Sequence, residues 1–447
     1  MKKTFLLSAL SLVLITSSFA VKVQAADVPE LYVGAAAVDV TPPIGTPLGG
    51  YGSIVRRMPG LLDWLNQYPY ANFFAPSLGS LDPIRSKAVI LKNSQRMTVF
   101  ISLDVVGVTA DLHDTLVAKL KPLGFDDVFV SAIHTHSGPG ALSKSWVWEI
   151  LAMDSFNQTV YNGFIAGVME SVQKAYAALE PADLYASSFM APNLHANRRG
   201  HPGHMDNKAN LLLAKARDGR WIGGIANYAI HGTILDETNR LFSSDAPGGI
   251  ERALESALSL DIDQKHPTIA FINGAEGDVA PAYVSGAAGI LQTGQEFAAL
   301  AMASLTTARK IPPEWKVQQI TTKLPMARVN LGKCGFDIGK DEVNMNLYIG
   351  AHALPRMALL SQIEIGDIFM MTWPGEPTTT SGQMTRDIAT AHGKKDVWIL
   401  GLTNGHMGYF VTPAEWTEGG YEPCVNLNGP TAVGKIVSAH GTILDTL

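Results

Sequence analysis

Histidines and a carboxylate placed directly after apolar segments are the residues whose chemistry stands out in this sequence. His134 and His136 follow one apolar segment, and His231 follows another. Glu376 follows a third, within a Pro-Gly-Glu-Pro turn. Imidazole nitrogens and a carboxylate oxygen are the ligands of catalytic zinc sites, which keep one coordination position for water. The pattern therefore predicts a hydrolytic zinc site, although each residue taken alone is also compatible with an ordinary core or turn position.

The His134-Thr135-His136 segment predicts two imidazoles on one face, because side chains alternate along extended backbone. Two such imidazoles suit a single metal, or one metal ligand with one catalytic neighbour. A carboxylate commonly orients a metal-bound histidine through its second ring nitrogen. Asp245 is a candidate for this orienting role, and a helix cap is the alternative.

Alternating strands and helices position these residues. The predicted strands are 31–40, 86–92, 96–106, 126–133, 220–230, 268–272, 361–372 and 397–402. The predicted helices are 111–120, 246–258 and 294–310. This order is typical of an α/β fold, here predicted as mixed β-sheets flanked by helices in one large domain. Ligands of such folds bind beyond the carboxyl ends of the strands, which is where the histidines and Glu376 are expected.

Composition excludes several classes of function. The chain has 447 residues, of which 47% are hydrophobic and 17% charged, as expected of a globular enzyme rather than a disordered chain. A net charge of −6 argues against nucleic-acid binding, which needs a basic surplus. The sequence lacks a Gly-x-Ser-x-Gly elbow, a His-Glu-x-x-His helix, a phosphate-binding loop and a dinucleotide fingerprint.

The N-terminus has the pattern of a signal peptide. Lys2 and Lys3 precede an apolar run, and Val23-Gln24-Ala25 fits the small-x-small rule for cleavage. We therefore expect residues 1–25 to be removed and the mature protein to reach the bacterial periplasm or the medium. The apolar run, 4–15, is shorter than the roughly 20 residues that span a bilayer, so no transmembrane anchor is expected.

Two cysteines, Cys334 and Cys424, are present. In an oxidising compartment they could form one disulfide, and two buried thiols are an equally good prediction. Two cysteines are too few for a cysteine-based metal site.

A series of short motifs, in order along the chain, resembles the neutral/alkaline non-lysosomal ceramidase family. The motifs are the segments 33–51 and 82–104, Ile133–Gly138, Asn197-Arg198-Arg199, Asn227–Thr233, Gly277-Asp278-Val279, Pro374-Gly375-Glu376, Thr403-Asn404, and Tyr409 with Tyr421-Glu422. The resemblance covers most of the chain that follows the signal peptide.

The resemblance implies a role for each matching residue. It implies zinc bound by His134, His231, Glu376 and Tyr409, and a scissile amide flanked by His136, Arg198 and Tyr421. These last three suit proton transfer and oxyanion stabilisation. A structural ion pair for Arg198 and a core position for Tyr421 are the alternatives.

Two departures from the family concern the substrate. The family has a serine after Gly-Asp-Val, where this chain has Ala280. We also expect 26–447 to form one catalytic domain, without the C-terminal β-sandwich of many ceramidases.

The leading hypothesis is an exported zinc amidohydrolase of ceramide or another acyl-amide lipid, with transient membrane contact. A non-catalytic lipid- or envelope-binding protein, and a hydrolase of an ester or lactone, are the alternatives.

Overall fold

The computed structural model describes residues 30–61, 67–201, 204–259, 266–334, 346–348 and 354–446. The predicted signal peptide and its cleavage site lie outside the described residues. No helix in the described part of the chain is long and apolar enough to cross a bilayer.

Strands and helices alternate along the described residues. The strands are β1 Tyr32–Asp39, β2 Gly79–Ser80, β3 Arg85–Lys92, β4 Met97–Leu103, β5 Asp127–Ala132, β6 Glu180–Met190, β7 His195–Asn197, β8 Lys208–Ala216, β9 Trp221–Tyr228, β10 Leu241–Phe242, β11 Thr268–Asn273, β12 Val279–Pro281, β13 Arg309–Ile311, β14 Trp315–Lys323, β15 Arg328–Asn330, β16 Asn346–Tyr348, β17 Met357–Ile365, β18 Ile368–Thr372, β19 Glu376–Pro377, β20 Asp396–Leu400 and β21 Tyr409–Phe410. The α-helices are α1 Ile54–Leu61, α2 Ala110–Leu120, α3 Trp146–Trp148, α4 Gln158–Ala177, α5 Asp245–Leu258, α6 Ala287–Ser304, α7 Thr379–Ala391, α8 Pro413–Glu418, α9 Tyr421–Cys424 and α10 Ala432–Leu444.

Nine of the described strands form one sheet, in the order β11-β9-β8-β6-β1-β3-β4-β5 with β13 beside β6. The two halves of this sheet face each other. Phe100 and Phe129 from one half lie in the same apolar cluster as Leu212 and Ile225 from the other. Apolar residues on both faces of these strands are buried, which explains why the strands read as nearly continuous hydrophobic runs.

Helices cover the outer faces of the sheet. On the β1-β3-β4-β5 half, Leu116 of α2 and Phe164 of α4 pack on the strands. On the other half, Leu254 of α5 and Phe297 of α6 do so. A second sheet, β14-β17-β18-β20, adds its inner face to the central cluster and carries α7 and α10 outside. The predicted fold class, mixed sheets with flanking helices in one large domain, is confirmed.

Three parallel strand pairs determine where the polar strand ends meet. Most strands pair antiparallel, but within the two large sheets β4 with β5, β9 with β11, and β18 with β20 are parallel. The carboxyl ends of β5, β11 and β20 are joined by hydrogen bonds: Ala132 N donates to Leu402 O, and Gly401 N donates to Asn273 O. Segments leaving these ends therefore converge on one place.

Two predicted elements were wrong in extent. The predicted strand 361–372 is a hairpin of β17 and β18, since Gly366 turns the chain with a φ of 60°. The predicted helix 294–310 starts earlier, at Ala287, and ends at Ser304, after which Arg309–Ile311 pairs with β6. In both cases apolar residues recur on either side of the change of element, and periodicity alone does not mark the turn between them.

Candidate active site

His134 sits two residues beyond β5, in a backbone conformation that non-glycine residues rarely adopt. Its φ is 69°, and its side chain is 2% exposed. Nδ1 of the ring lies 2.6 Å from the carbonyl oxygen of Val106. A carbonyl only accepts, so Nδ1 carries a proton, and Nε2 is the ring nitrogen available to bind a metal. Backbone strain of this kind is typical of functional sites.

The segment that carries His231 is paired with the His134 segment through the backbone. His136 N donates to Gly232 O at 2.9 Å, and Gly232 N donates to His134 O at 3.2 Å. Glycine is required at 232, since a Cβ there would lie 2.7 Å from His134 O. These two bonds fix the spacing between His134 and His231, whose ring centroids are 4.6 Å apart.

Glu376 and Tyr409 reach the same place on a short parallel pair, β19 with β21, in which they are register partners. Oε2 of Glu376 lies 3.1 Å from Nε2 of His134 and 3.4 Å from Nε2 of His231. The Tyr409 hydroxyl lies 3.3 Å from Nε2 of His231. All four side chains are buried. The four zinc ligands expected from the sequence are therefore brought together.

The donor set fits a zinc ion. The ligand nitrogens of His134, His136 and His231 lie within 4.8 Å of one another, and Nε2 of His134 and Nε2 of His136 are 3.3 Å apart. Nitrogen lone pairs converging with a carboxylate oxygen are unfavourable without a cation, and imidazole with carboxylate is a donor set that zinc prefers. His136 belongs to this cluster by distance, so the geometry also accommodates a three-histidine set.

Burial keeps the imidazoles of His231 and His136 neutral. It lowers the pKa of His231 to about 3, and the Arg198 charge acts in the same direction. Burial also holds the pKa of His136 well below its usual range. Burial alone would raise the pKa of Glu376, but His134, His231 and His406 hold it well below its usual range. The site thus combines neutral nitrogen donors with an ionised oxygen donor, which are the protonation states that metal binding requires.

Arg198 lies against this cluster and also forms the ion pair proposed as its alternative. It follows β7, and its guanidinium donates to the Tyr409 hydroxyl at 3.0 Å and to Glu422 Oε1 at 2.8 Å. The Tyr421 ring lies 5.6 Å from the Tyr409 ring and is 58% exposed, so it is a rim residue rather than a core aromatic. Arg198 therefore joins the buried ligands to the rim.

A cavity of about 600 Å³ opens onto these groups, within the range of small-molecule sites. Its walls include Tyr51, Trp148, Leu151 and Leu427, and the same space is lined by His134, His136, Arg198, Glu376, Tyr409 and Tyr421. A second cavity of about 630 Å³ lies between α5 and α6. We assign the candidate site to the first, because His134, His136, Glu376 and Arg198 line it, whereas no histidine lines the second.

Asp245 does not contact the candidate ligand histidines. Its carboxylate accepts hydrogen bonds from the backbone N–H groups of Ile234 and Leu235, in the loop that follows His231. Nδ1 of His231 is buried without a hydrogen-bond partner. The expected orienting contact is thus replaced by support of the loop backbone.

Two buried residues at the site were missed by the sequence analysis. His406 donates to Oε1 of Glu376 at 3.0 Å. Glu276 is fully buried beyond β11, and burial together with the nearby Glu376 charge raises its pKa well above the usual range. His406 lies between Asn404 and Tyr409, which were both singled out, and this position is the signal that could have identified it.

The cysteine question left open by the sequence is resolved, since Cys334 and Cys424 form a disulfide. Cys424 is the last residue of α9, which begins with Tyr421. The cross-link therefore ties one wall of the cavity to the segment 331–334.

Comparison with known proteins identifies the family. The profile described as neutral/alkaline non-lysosomal ceramidase, N-terminal, matches residues 32–300. This span includes His134, His136, Arg198 and His231, whereas Glu376, Tyr409 and Tyr421 lie beyond it. The neutral ceramidase of Pseudomonas aeruginosa is 27% identical over 171 residues, which is 35% of this chain and 25% of that relative. The neutral ceramidase of Mycobacterium tuberculosis is 23% identical over 396 residues, covering 69% of this chain and 61% of that relative.

The fold comparison agrees. A crystal structure of the Pseudomonas aeruginosa neutral ceramidase superposes with a TM-score of 0.77 at 19% identity, covering 94% of this chain and 75% of that chain. At this identity the likeness concerns the fold. The alignments span only about a quarter to a third of the first curated relatives. Because the family profile matches more than half of the sequence, this chain belongs to the neutral/alkaline non-lysosomal ceramidase family.

Proposed function

We propose that this protein is a zinc-dependent amidohydrolase that cleaves the N-acyl bond of ceramide or a related acyl-amide lipid. The observation that carries the proposal is the convergence of His134, His231, Glu376 and Tyr409 at the base of a partly apolar cavity. Curated relatives named as neutral ceramidases support the substrate class.

The metal site is proposed as His134, His231, Glu376 and Tyr409. Zinc held by these side chains would polarise a carbonyl oxygen and make water nucleophilic near neutral pH. The residues themselves supply the electrostatic environment. Because they are buried, solvent screens little of the charge that develops at the reacting carbonyl, and their electrostatic interactions with this charge are strong.

His136 is the proposed proton carrier. Its ring is buried and neutral, because burial lowers its pKa, and Nε2 is directed at the ligand cluster. A neutral imidazole can accept the proton of the attacking water and then deliver it to the departing amine nitrogen. Without this delivery the amine would leave as an unstable anion.

Arg198 and Tyr421 are the proposed oxyanion donors. Burial alone would lower the pKa of Arg198. The Tyr409 hydroxyl and the Glu422 carboxylate raise this pKa, so the guanidinium remains charged. Tyr421 adds a hydroxyl at the rim of the same cavity. Removing one such donor typically costs about 10²–10³ in kcat.

The direct test is zinc-dependent release of fatty acid from a fluorescent ceramide. We expect release by the zinc-loaded protein, none after chelation, and recovery when zinc is restored. His134→Ala should be inactive, whereas His440→Gln, at a buried histidine outside the site, should remain active. A zinc-loaded wild-type protein that releases no fatty acid from ceramide or other acyl amides would refute the proposal.

Ala280 in β12 concerns which acyl bond is cleaved. The family resemblance implies a serine at this position, so the hydroxyl is missing here, and hydrolysis of another acyl bond such as an ester or lactone is a second candidate. Matched amide and ester substrates with the same acyl chain distinguish the two reactions. Faster ester cleavage by the wild type, shifted toward the amide in Ala280→Ser, would support the second candidate.

Export is also proposed, on the signal-peptide pattern of residues 1–25. N-terminal sequencing of the protein recovered from a bacterial periplasm or medium should begin at or within a residue of Ala26. An intact N-terminus in the cytoplasmic fraction would contradict it.

A further inference from the structure

Like His136, His406 is a buried histidine that contacts a candidate ligand without being proposed as one. It lies in the loop between β20 and β21 and is 4% exposed. Its ring centroid is 6.1 Å from that of His134, and it lies outside the group formed by His134, His136 and His231. Its only close polar contact among the candidate ligands is with Glu376.

Two neighbours, Trp148 and Gly107, fix the position of the His406 ring. One face stacks on Trp148 at 4.1 Å between centroids, with the planes 9° apart. Gly107 approaches it as well, since a Cβ at Gly107 would lie 2.0 Å from Nδ1 of His406. A larger residue at 107 would displace the ring, so both the stacking and the glycine fix its position.

This fixed ring presents its Nε2 atom to the carboxylate. Nε2 of His406 lies 3.0 Å from Oε1 of Glu376, and an ionised carboxylate only accepts, so Nε2 carries the proton. Oε1 is thereby engaged, and it is Oε2 that lies 3.1 Å from His134 Nε2 and 3.4 Å from His231 Nε2. The hydrogen bond selects which oxygen faces the ligand histidines.

We propose that His406 is a positioning residue for the Glu376 carboxylate, which it orients toward the metal position and connects to the Trp148 wall of the cavity. The inference rests on the proposed metal site. Hydrogen-bond partners of metal-binding carboxylates fix their orientation, and loss of such a partner typically costs about 10–100-fold in metal affinity.

The connection to Trp148 extends the role of His406. Trp148 lines the cavity and stacks on His406, which in turn holds Glu376. The wall that a substrate would contact is thus two contacts away from a candidate ligand. His406 therefore fixes the position of Trp148 in the cavity wall relative to the candidate ligand Glu376.

The test compares zinc affinity in three full-length proteins by competition with a chromophoric chelator. His406→Phe keeps a ring against Trp148 but removes the donor, and we expect about 10–100-fold weaker zinc binding. His406→Gln keeps an N–H donor, so its zinc affinity should lie closer to that of the wild type. Should His406→Phe not fold, His406→Leu takes its place as the variant without a donor.

The melting temperature of the metal-free proteins separates positioning from a purely structural role. We expect His406→Phe to melt near the wild type without zinc and to gain less from added zinc. Equal zinc affinity in His406→Phe and wild type would overturn the proposal, as would equal losses in His406→Phe and His406→Gln. Zinc binding that depends on His406, in a protein that hydrolyses no acyl amide, would leave the proposal standing and refute the proposed function alone.

Discussion

The buried histidines of this protein fall into two groups that differ in what their ring nitrogens contact. In the core, His440 of α10 is fully buried, with Nε2 3.1 Å from Thr372 O and Nδ1 3.4 Å from the Gln362 amide. At the candidate site, Nε2 of His134 and Nε2 of His136 point at each other. Burial is therefore common to both groups. What distinguishes the site is the convergence of lone pairs that the protein itself does not satisfy.

A similar contrast holds for buried charges. Lys87 is fully buried, and its ammonium lies between the carboxylates of Asp104 and Glu251. Asp104 also accepts from Arg85 N, and Glu251 accepts from Phe271 N. These carboxylates are paired with the Lys87 ammonium and the Arg85 guanidinium, whereas the contacts of Glu376 are with imidazole rings and the Tyr409 hydroxyl.

Removing a candidate ligand tests the contrast between the core histidine and the candidate site. It has the largest expected effect on activity. Glu376→Gln replaces the ionised oxygen donor with an amide. A bound metal contributes several kcal/mol to a transition state, so we expect fatty-acid release to fall roughly 10³-fold or more. Activity measured at saturating zinc checks this, and wild-type activity in Glu376→Gln would contradict it.

Breaking the Lys87 cluster should cost stability and leave metal binding intact. Lys87→Met leaves two buried carboxylates without their cation, which typically costs about 3–5 kcal/mol. Urea unfolding of the metal-free protein measures the loss. Zinc affinity of the folded variant is the control and should equal that of the wild type. An unchanged unfolding midpoint would show that this charge cluster is not required by the core.

Reduction of the Cys334–Cys424 disulfide tests whether this cross-link, rather than the core, stabilises the rim of the candidate site. The two cysteines are 90 residues apart, and opening a cross-link of this span costs about 2–4 kcal/mol. Because Cys424 ends the helix that starts with Tyr421, we expect KM to rise in Cys424→Ser. Steady-state kinetics and thermal melts with and without reductant check both effects. An unchanged KM would mean that the cavity wall does not depend on the cross-link.

His440 in the core is expected to make the free energy of unfolding depend on pH. Burial lowers the pKa of His440 to about 4, from about 6.5 in the unfolded chain. The fold favours the neutral ring, so the contribution of His440 to the free energy of unfolding is complete above pH 6.5 and is lost as the pH falls toward 4. This contribution is about 3 kcal/mol. His440→Gln should unfold with a smaller dependence on pH across this window, and identical slopes would contradict the assignment.

The sequence was informative where one residue type followed one clear pattern. His134, His231 and Glu376 each come after a buried strand, and that context was enough to expect them together. Tyr409 was expected only from the family resemblance, because a tyrosine in a loop has no distinctive spacing.

Other features depend on contacts that no local pattern encodes. His406 lies in a loop, and its role follows from stacking on Trp148, which is more than 250 residues away in the chain. Whether Cys334 and Cys424 would meet was equally undecided, because their pairing depends on how α9 packs. The turn at Gly366-Asp367 carries a local turn signal, and it was missed because Ile365 and Ile368 on either side were read as parts of one strand.

The most direct measurement is the zinc content of the purified protein after equilibration with zinc and removal of loosely bound metal. We expect about one zinc ion per chain in the wild type and in His440→Gln, and a large loss in Glu376→Gln and His134→Ala. A wild-type protein without zinc after this treatment, or equal zinc retention in all four proteins, would show that these buried side chains do not form a zinc site.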